Sequence, residues 1–349
     1  MSDQQQPPQH QQKQPGDEHA MRPEPEYIRD SYRGAEKLLD KVAIITGGDS
    51  GIGRAIAVHY AREGADSVIV HLKESRDAEE TKRLVEAEGR RCLVLKGDVA
   101  APSFCREIVN RTRQEFGKIN IVIHNAAEQY DWDDITDIPD DQLQRTFQTN
   151  VFSHFYLTKA ALPHLSEGDT IIATSSINAF KGNDTLIDYT ATKGAIQGLI
   201  RSLAMSLMDR GIRVNAVAPG PIWTPLIPAS FDEEKVAEFG NQVPMKRAGQ
   251  PSEIGPAYVY LASADSSYVS GQVLHVNGGE VVNGRARLFG VLETACGAVD
   301  LGQRVDRHLN IPVSIGIDAD LAVVLQHVGA LGGIERGQDR GDPVARAAA

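Results

Sequence analysis

Short apolar runs alternate with longer amphipathic segments along most of this chain, beginning near Lys41. An apolar run of about four to eight residues between turn signals predicts a buried strand, and apolar residues that recur every three or four positions predict a helix. The predicted strands cover residues 42–45, 67–70, 92–95, 119–123, 170–174, 212–217 and 273–276. The predicted helices cover residues 52–63, 78–88, 104–116, 140–165, 189–210, 233–239 and 252–263. This alternation predicts an α/β fold, a single doubly wound domain whose seven-stranded parallel sheet has helices on both faces.

The two ends of the chain differ from this middle part. Residues 1–38 begin with a run rich in Gln and Pro, which has too little apolar surface to offset its ordering entropy, so we expect a flexible N-terminal arm. Within it, residues 21–37 either lie on their own or a neighbouring subunit or form a disordered tail. The folded domain is predicted to span residues 39–284. Residues 285–349 form an extra C-terminal tail, weakly structured or disordered, which we expect to lie outside the functional unit.

The net charge limits the kinds of binding partner to be expected, and the cysteine content indicates the cellular compartment. The 349-residue chain has a formal net charge of -11, and an acidic surface argues against a nucleic-acid or anionic-membrane partner. Cys92, Cys105 and Cys296 are widely separated, so we expect neither a metal site nor a disulfide framework. No apolar run approaches the roughly 18 residues of a membrane-spanning helix, and no secretory signal is evident. We therefore expect a cytoplasmic protein.

A glycine-rich turn, Thr46-Gly47-Gly48-Asp49-Ser50-Gly51-Ile52-Gly53, joins the first predicted strand to the first predicted helix. Glycines let the backbone approach a pyrophosphate closely, and a helix N-terminus offers free N–H groups and a partial positive charge. The spacing differs from the general G-x-G-x-x-G pattern, but the position between a strand and a helix predicts a dinucleotide site. The alternative is a glycine-rich turn without a ligand.

A tyrosine and a lysine, Tyr189 and Lys193, stand four residues apart at the start of a predicted helix. Positions i and i+4 lie on one helical face, so the phenol and the ammonium can point into the same space. A nearby cation favours the phenolate and so lowers the pKa of a phenol, which makes it a better proton shuttle at neutral pH. The alternative is a tyrosine packed on the core beside a solvated lysine.

Taken together, these two patterns make residues 41–284 resemble the short-chain dehydrogenase/reductase family. Further matches to its pattern are Asp98-Val99, His124-Asn125-Ala126-Ala127, Asn150, Thr174-Ser175-Ser176, Pro219-Gly220 and Thr224. Ser176 stands 13 residues before Tyr189, as is usual in the family. His124 and Ala127 depart from the pattern, which has Asn and Gly there. More narrowly, the chain resembles a bacterial subgroup with an N-terminal extension that includes general-stress and glucose/ribitol-type dehydrogenases.

The resemblance implies a Rossmann-type fold and hydride transfer between a nicotinamide and a carbonyl or alcohol substrate. It implies that Tyr189 is the general acid/base and that Lys193 lowers the pKa of the phenol and holds the nicotinamide ribose. It also implies that Ser176 binds the substrate oxygen and the phenol, and that Asn150 holds a water and a backbone kink for a proton relay. The implied cofactor-binding residues are Gly47, Asp49, Ser50, Gly51, Ile52, Gly53, His71, Lys73, Asp98, Val99, Asn125, Ala126, Tyr189, Lys193, Pro219, Gly220, Ile222 and Thr224.

The choice of cofactor is made at the end of the second predicted strand. A carboxylate there binds the ribose 2′-OH of NAD, whereas basic residues accommodate the 2′-phosphate of NADP. His71 and Lys73 stand at this position and Glu74 lies just beyond it. The sequence therefore favours NADP, with NAD as the alternative.

The resemblance implies that the Pro-rich residues 221–250 form the substrate lid, in which the large apolar side chains are expected to form a pocket wall. These side chains are Trp223, Leu226, Ile227, Phe231 and Phe239. By resemblance, the apolar faces of the helices at 140–165 and 189–210 form the interfaces of a homotetramer; the alternative is burial within one subunit. Two other functions stay open: a non-catalytic NAD(P)-binding or redox-sensing protein on the same fold, and a lyase or epimerase that uses the same residues.

Overall fold

The computed structural model describes residues 6–282 and 285–286, and its centre is one seven-stranded sheet. All neighbouring strands are parallel, in the order β3-β2-β1-β4-β5-β6-β7. The strands are β1 (Val42–Thr46), β2 (Asp66–His71), β3 (Cys92–Lys96), β4 (Ile121–His124), β5 (Thr170–Thr174), β6 (Arg213–Pro219) and β7 (Val273–Val276). The predicted doubly wound sheet is therefore confirmed. The two-residue strands β8 (Val281–Val282) and β9 (Arg285–Ala286) pair separately and antiparallel.

Helices follow the strands as the periodicity predicts. They are α1 (Gly51–Arg62), α2 (Ser75–Ala87), α3 (Pro102–Phe116), α4 (Asp140–Phe147), α5 (Ser153–Ala161), α6 (Asn178–Lys181), α7 (Ile187–Ser206), α8 (Leu226–Ser230), α9 (Glu233–Ala237) and α10 (Pro251–Ala262). Local chemistry fixes several ends: α3 and α10 both begin with a proline, whose missing N–H has no partner to lose at a first helical position. Among the described residues, no helix is both long and apolar enough to cross a membrane.

The sheet separates two apolar cores because successive strand residues point to opposite faces. Along β1, Ala43 and Ile45 pack in one core with residues of α1 and α10, whereas Ile44 packs in the other with residues of α3, α5 and α7. The chain moves from β1 to β2 and β3 on one side and then returns to β4 on the other side of β1. In such a sheet, ligands bind outside the carboxyl ends of the strands at this switch point.

The predicted long helix at 140–165 is not continuous. It is divided into α4, a π-helical turn over Gln148–Phe152, α5, and a 3₁₀ turn over Leu162–His164 that contains Pro163. The apolar spacing continues through all of these segments, so periodicity alone does not reveal one wide turn within a helix. Such turns frequently mark functional sites.

The N-terminal arm packs against the domain along its described length. Met21 and Leu38 are fully buried, and the carboxylate of Glu18 is buried as well. Of the two interpretations of the arm, this packing favours a segment that lies on its own subunit. The predicted C-terminal tail lies outside the described residues, apart from strand β9.

Candidate active site

A cavity of about 560 Å³ lies at the carboxyl ends of the strands, between the glycine turn and the lid, residues 221–250. Most of the predicted site residues line it. They are Gly47, Asp49, Ser50, Gly51, Ile52, His71, Asp98, Val99, Asn125, Ala126, Ser176, Tyr189, Lys193, Pro219, Gly220, Ile222 and Thr224. The topology thus brings together residues that are spread over more than half of the sequence.

Four of the predicted residues do not line the cavity. Gly53 lies beneath the glycine turn, and Asn150 is fully buried behind the cavity wall. Lys73 is exposed, and its place at the cavity is taken by the buried Glu74. Trp223 is fully buried among apolar side chains of the lid and the arm, so it is a core residue of the lid rather than part of a pocket wall. The other predicted lid residues, Leu226, Ile227, Phe231 and Phe239, do line the cavity.

The glycine turn has the shape that a phosphate-binding loop requires. A Cβ atom at Gly53 would lie 1.8 Å from the carbonyl oxygen of Gly47, so only glycine allows α1 to start this close to β1. Gly51 has a φ of +50, which also favours glycine. Asn125 fixes the turn from β4, since its side-chain amide donates to the carbonyl oxygens of Thr46 at 3.2 Å and Gly47 at 3.0 Å.

Tyr189 and Lys193 lie one turn apart on α7, and both are buried and line the cavity. The Nζ atom of Lys193 lies 5.3 Å from the centroid of the Tyr189 ring and donates a 2.8 Å hydrogen bond to the carbonyl oxygen of Thr174. The buried Asp188 orients the first turn of α7, because its carboxylate accepts from the Tyr189 N–H at 2.7 Å and from the hydroxyl of Thr146 on α4 at 2.7 Å.

Burial dominates the electrostatics of this pair. It raises the pKa of Tyr189 to about 12, although a hydrogen bond with Ser176 acts in the opposite direction. It lowers the pKa of Lys193 to about 7. The expected lowering of the phenol pKa by Lys193 is therefore not found in the protein alone. The reason is that both groups are out of water, and that the lysine hydrogen bond goes to a backbone carbonyl.

Asn150 lies in the π-helical turn and has a structural set of partners. Its side-chain oxygen accepts from the Glu128 N–H at 2.8 Å, and its amide donates to the Glu128 carbonyl at 2.8 Å and to the Thr192 hydroxyl at 3.2 Å. The side chain therefore fixes the segment after β4 against α7. It does not line the cavity, and the expected part of Asn150 in a proton relay stays a prediction.

The end of β2 is less basic than the sequence suggested. His71 is buried with its Nδ1 atom unpartnered, and burial, with a smaller contribution from Lys96, lowers the pKa of its ring. Asp49 and Glu74 line the same part of the cavity, and burial raises the pKa of Asp49 to about 7. This part of the site therefore has a neutral imidazole and two carboxyl groups facing it.

Sequence reasoning missed one charged cluster at the cavity. Arg145 on α4 donates to Asp98 at 2.6 Å and to Glu128 at 2.6 and 2.8 Å, and all three residues line the cavity. No rule of sequence spacing links these three positions. The only signal in the sequence is that one residue is basic and the other two are acidic. His124, the departure noted at the end of β4, is buried, stacked on His154 at 4.4 Å, and does not line the cavity.

The residues present fit a dinucleotide: a turn whose Gly53 has no room for a side chain, an unpartnered imidazole nitrogen at the end of β2, and a tyrosine–lysine pair beyond them. With the doubly wound sheet, they define the protein as a nicotinamide-dependent oxidoreductase in general terms. Proteins of similar sequence and structure narrow that class.

Residues 47–280 match a family model described as enoyl-(acyl carrier protein) reductase. An uncharacterized oxidoreductase of Bacillus subtilis, YhxC, is 60% identical over 80% of this chain and 97% of its own length. Glucose and ribitol dehydrogenase of Daucus carota is 52% identical over 80% of this chain and 98% of its own length. NADPH-dependent aldehyde reductase 1, chloroplastic, of Arabidopsis thaliana is 51% identical over 77% of this chain and 96% of its own length.

A solved structure of a short-chain dehydrogenase from Burkholderia cenocepacia, in complex with NADP, is similar to this fold. It has a TM-score of 0.66 and 30% sequence identity, and the match covers 70% of this chain and 98% of that one. The chain therefore belongs to the short-chain dehydrogenase/reductase family.

Proposed function

We propose that Tyr189 is the general acid/base of an oxidoreductase that interconverts an alcohol and the corresponding carbonyl compound. The observation that carries this proposal is the convergence of Tyr189, Lys193 and Ser176, all buried, on one cavity beside the glycine turn. A protein that only bound a dinucleotide would have no need of a buried phenol paired with a buried amine.

When bound, the nicotinamide supplies or accepts the hydride. In the reducing direction the phenol of Tyr189 gives its proton to the substrate oxygen, while the hydroxyl of Ser176 hydrogen-bonds the same oxygen and steadies the phenol. Lys193, with a pKa of about 7, is partly protonated at neutral pH and can return a proton toward Tyr189. The Thr174 carbonyl holds its ammonium in place.

For the cofactor, we propose that the protein binds NADP and that Glu74 keeps its preference over NAD small. Binding of NADP is supported by the Burkholderia complex and by the name of the Arabidopsis reductase. The carboxyl groups of Glu74 and Asp49 argue against a strong preference for NADP. A carboxylate repels the 2′-phosphate of NADP and accepts a hydrogen bond from the 2′-hydroxyl of NAD.

For the substrate, we propose a small hydroxylated carbonyl compound or its alcohol, such as a sugar, a polyol or an aldehyde. Residues with a side-chain amide line the cavity together with apolar residues of the lid, and such amides can hydrogen-bond hydroxyl groups. These amides belong to Gln129, Asn178, Asn183 and Gln242. The names of the Daucus and Arabidopsis relatives support the same class.

Replacement of the phenol tests the proposal. Tyr189→Phe should lower the turnover number by about 10² to 10⁴, the usual contribution of general acid/base catalysis, and should leave dinucleotide binding nearly unchanged. Turnover is measured from the absorbance of NAD(P)H over a panel of sugars, polyols, aldehydes and ketones. Tyr268→Phe is the matched control, because Tyr268 is fully exposed. Near-normal turnover of Tyr189→Phe would show that the assignment is wrong.

We also propose that the protein is a homotetramer in the cytoplasm. An interface between subunits on these helices is supported by three exposed apolar side chains. They are Phe152 in the π-helical turn, Phe155 on α5 and Met205 on α7. The described cysteines, Cys92 and Cys105, are buried free thiols, which supports a reducing compartment. Sedimentation velocity distinguishes four copies from one.

A further inference from the structure

The N-terminal arm runs across the cavity between its two sides. On the lid side, the N–H of Gln11 donates to the carbonyl oxygen of Pro228 at 2.7 Å, and the ring of His10 is hydrogen-bonded to the carbonyl oxygen of Phe231 at 2.8 Å. Three residues later, Gln14 is hydrogen-bonded through its side chain to the backbone N–H and carbonyl of Gln129, after β4. The arm is therefore tied to α8 and to the loop that faces it.

Four residues beyond Gln14, the arm reaches the dinucleotide side. The carboxylate of Glu18 accepts the N–H of Gly51, the first residue of α1, and forms an ion pair with Arg54. The N–H of Glu18 itself donates to Asp77 on α2 at 2.7 Å. Both Glu18 and Arg54 are buried. A buried, hydrogen-bonded ion pair at a helix N-terminus is a specific anchor rather than an incidental surface contact.

The segment between these anchors lies at the cavity, against the lid. Pro15 and Gly16 line the cavity. A Cβ atom at Gly16 would lie 2.4 Å from the carbonyl oxygen of Pro225 and 3.0 Å from the Cβ of Ala229, so the arm passes directly against α8. Just after the anchor, Met21 is fully buried in the apolar cluster of the lid with Trp223, whose indole N–H donates to the Pro23 carbonyl at 2.9 Å.

We propose that residues 14–18 form a strap that holds the lid against the glycine turn, with Glu18 as its latch, and that exchange of the dinucleotide requires the strap to release. This proposal rests on the proposed function, because a dinucleotide of the family would lie between the glycine turn and the lid. The lid cannot move away from α1 unless the arm loses either its contacts with the lid, made by His10, Gln11 and Gln14, or the contacts of Glu18 with α1. The strap therefore sets the rate at which the dinucleotide leaves.

Three variants weaken the strap in different ways. Glu18→Gln removes the charge of the latch but keeps its size, Gly16→Ala forces the strap away from Pro225, and Gln14→Ala removes the tether to Gln129. The matched controls are Glu24→Gln and Gln12→Ala, which make the same changes at exposed positions of the same arm. Thermal unfolding verifies that each variant is folded. Gln14 is only half-buried, so Gln14→Ala gives a folded test even where a buried change destabilises the protein.

The dissociation rate of NADPH is measured by stopped-flow fluorescence while excess NADP displaces it. We expect Glu18→Gln to raise this rate about tenfold, equivalent to about 1.4 kcal/mol, and the other two strap variants to raise it as well, with the controls unchanged. Unchanged rates in all three folded variants would overturn the proposal. So would slower dissociation in Glu18→Gln, because the carboxylate would then compete with the phosphates rather than hold the lid.

Hydrogen exchange of the lid without any dinucleotide provides an independent readout. Backbone amides of residues 225–237 should exchange faster in the three strap variants than in the wild type and the controls. If the wild type bound neither NADPH nor NADH, the proposed function would be wrong, and lid exchange would still decide on the strap: equal exchange in every variant would overturn it.

Discussion

Replacement of Asn150 separates a structural from a chemical role for this residue. Asn150→Ala removes three hydrogen bonds and leaves the N–H and the carbonyl of Glu128, a residue that is 7% exposed, without side-chain partners. A buried polar group that loses its partner costs about 1–3 kcal/mol, so the two groups together should lower the free energy of unfolding by about 2–6 kcal/mol. Activity should fall with stability, because Glu128 also accepts from Arg145 at the cavity.

Urea unfolding followed by circular dichroism measures this change, with turnover measured on the same samples at a temperature where the variant is folded. Asn110→Ala is the control, since Asn110 is an exposed asparagine on α3 and its loss should change stability by less than about 0.5 kcal/mol. An unfolding free energy within about 1 kcal/mol of the wild type, combined with a loss of turnover greater than about 100-fold, would refute the structural reasoning.

Two further predictions concern charge. Between about pH 7 and its ordinary pKa of 10.5, Lys193 binds fewer protons in the folded than in the unfolded chain, so stability should rise with pH across this window. Lys193→Met should flatten the rise in melting temperature of the dinucleotide-free protein, whereas the exposed Lys159→Met should not; equal slopes would contradict the burial argument. Glu74→Gln should raise the affinity for NADP relative to NAD roughly fivefold, because it removes a repulsion of about 1 kcal/mol. Fluorescence titration with both dinucleotides checks this against the exposed Glu79→Gln, and an unchanged ratio would exclude Glu74 as a determinant.

The sheet and its order of elements were predictable because each rests on local periodicity. Both edge and central strands are apolar runs that end at turn signals, and the Tyr189 helix keeps one side toward the sheet over five turns of chain. Pairs on one helix, such as Tyr189 and Lys193, follow directly from helical geometry. Their pKa values do not, since these depend on how much water the surrounding fold excludes.

What the sequence could not provide are contacts between segments without a common period. Asn150 and Glu128 are 22 residues apart in a loop and a wide helical turn, and nothing local relates them. Glu74 rather than Lys73 lines the cavity because of where β2 ends. A shift of one residue in the predicted end of the strand therefore reverses the sign of the charge expected at the cavity. The arm is polar and aperiodic, so its packing depends on partners such as Trp223 that lie far along the chain.

That distance has a consequence for the order in which the protein is made. His10 is hydrogen-bonded to Phe231, 221 residues later, so the arm leaves the ribosome long before this partner in the lid has been synthesised. Closing so long a loop is slow and gains its contacts only at the end. Strands β1 to β6 are therefore synthesised before the partner of His10, and the arm can close its side of the cavity only after residue 231 has been made.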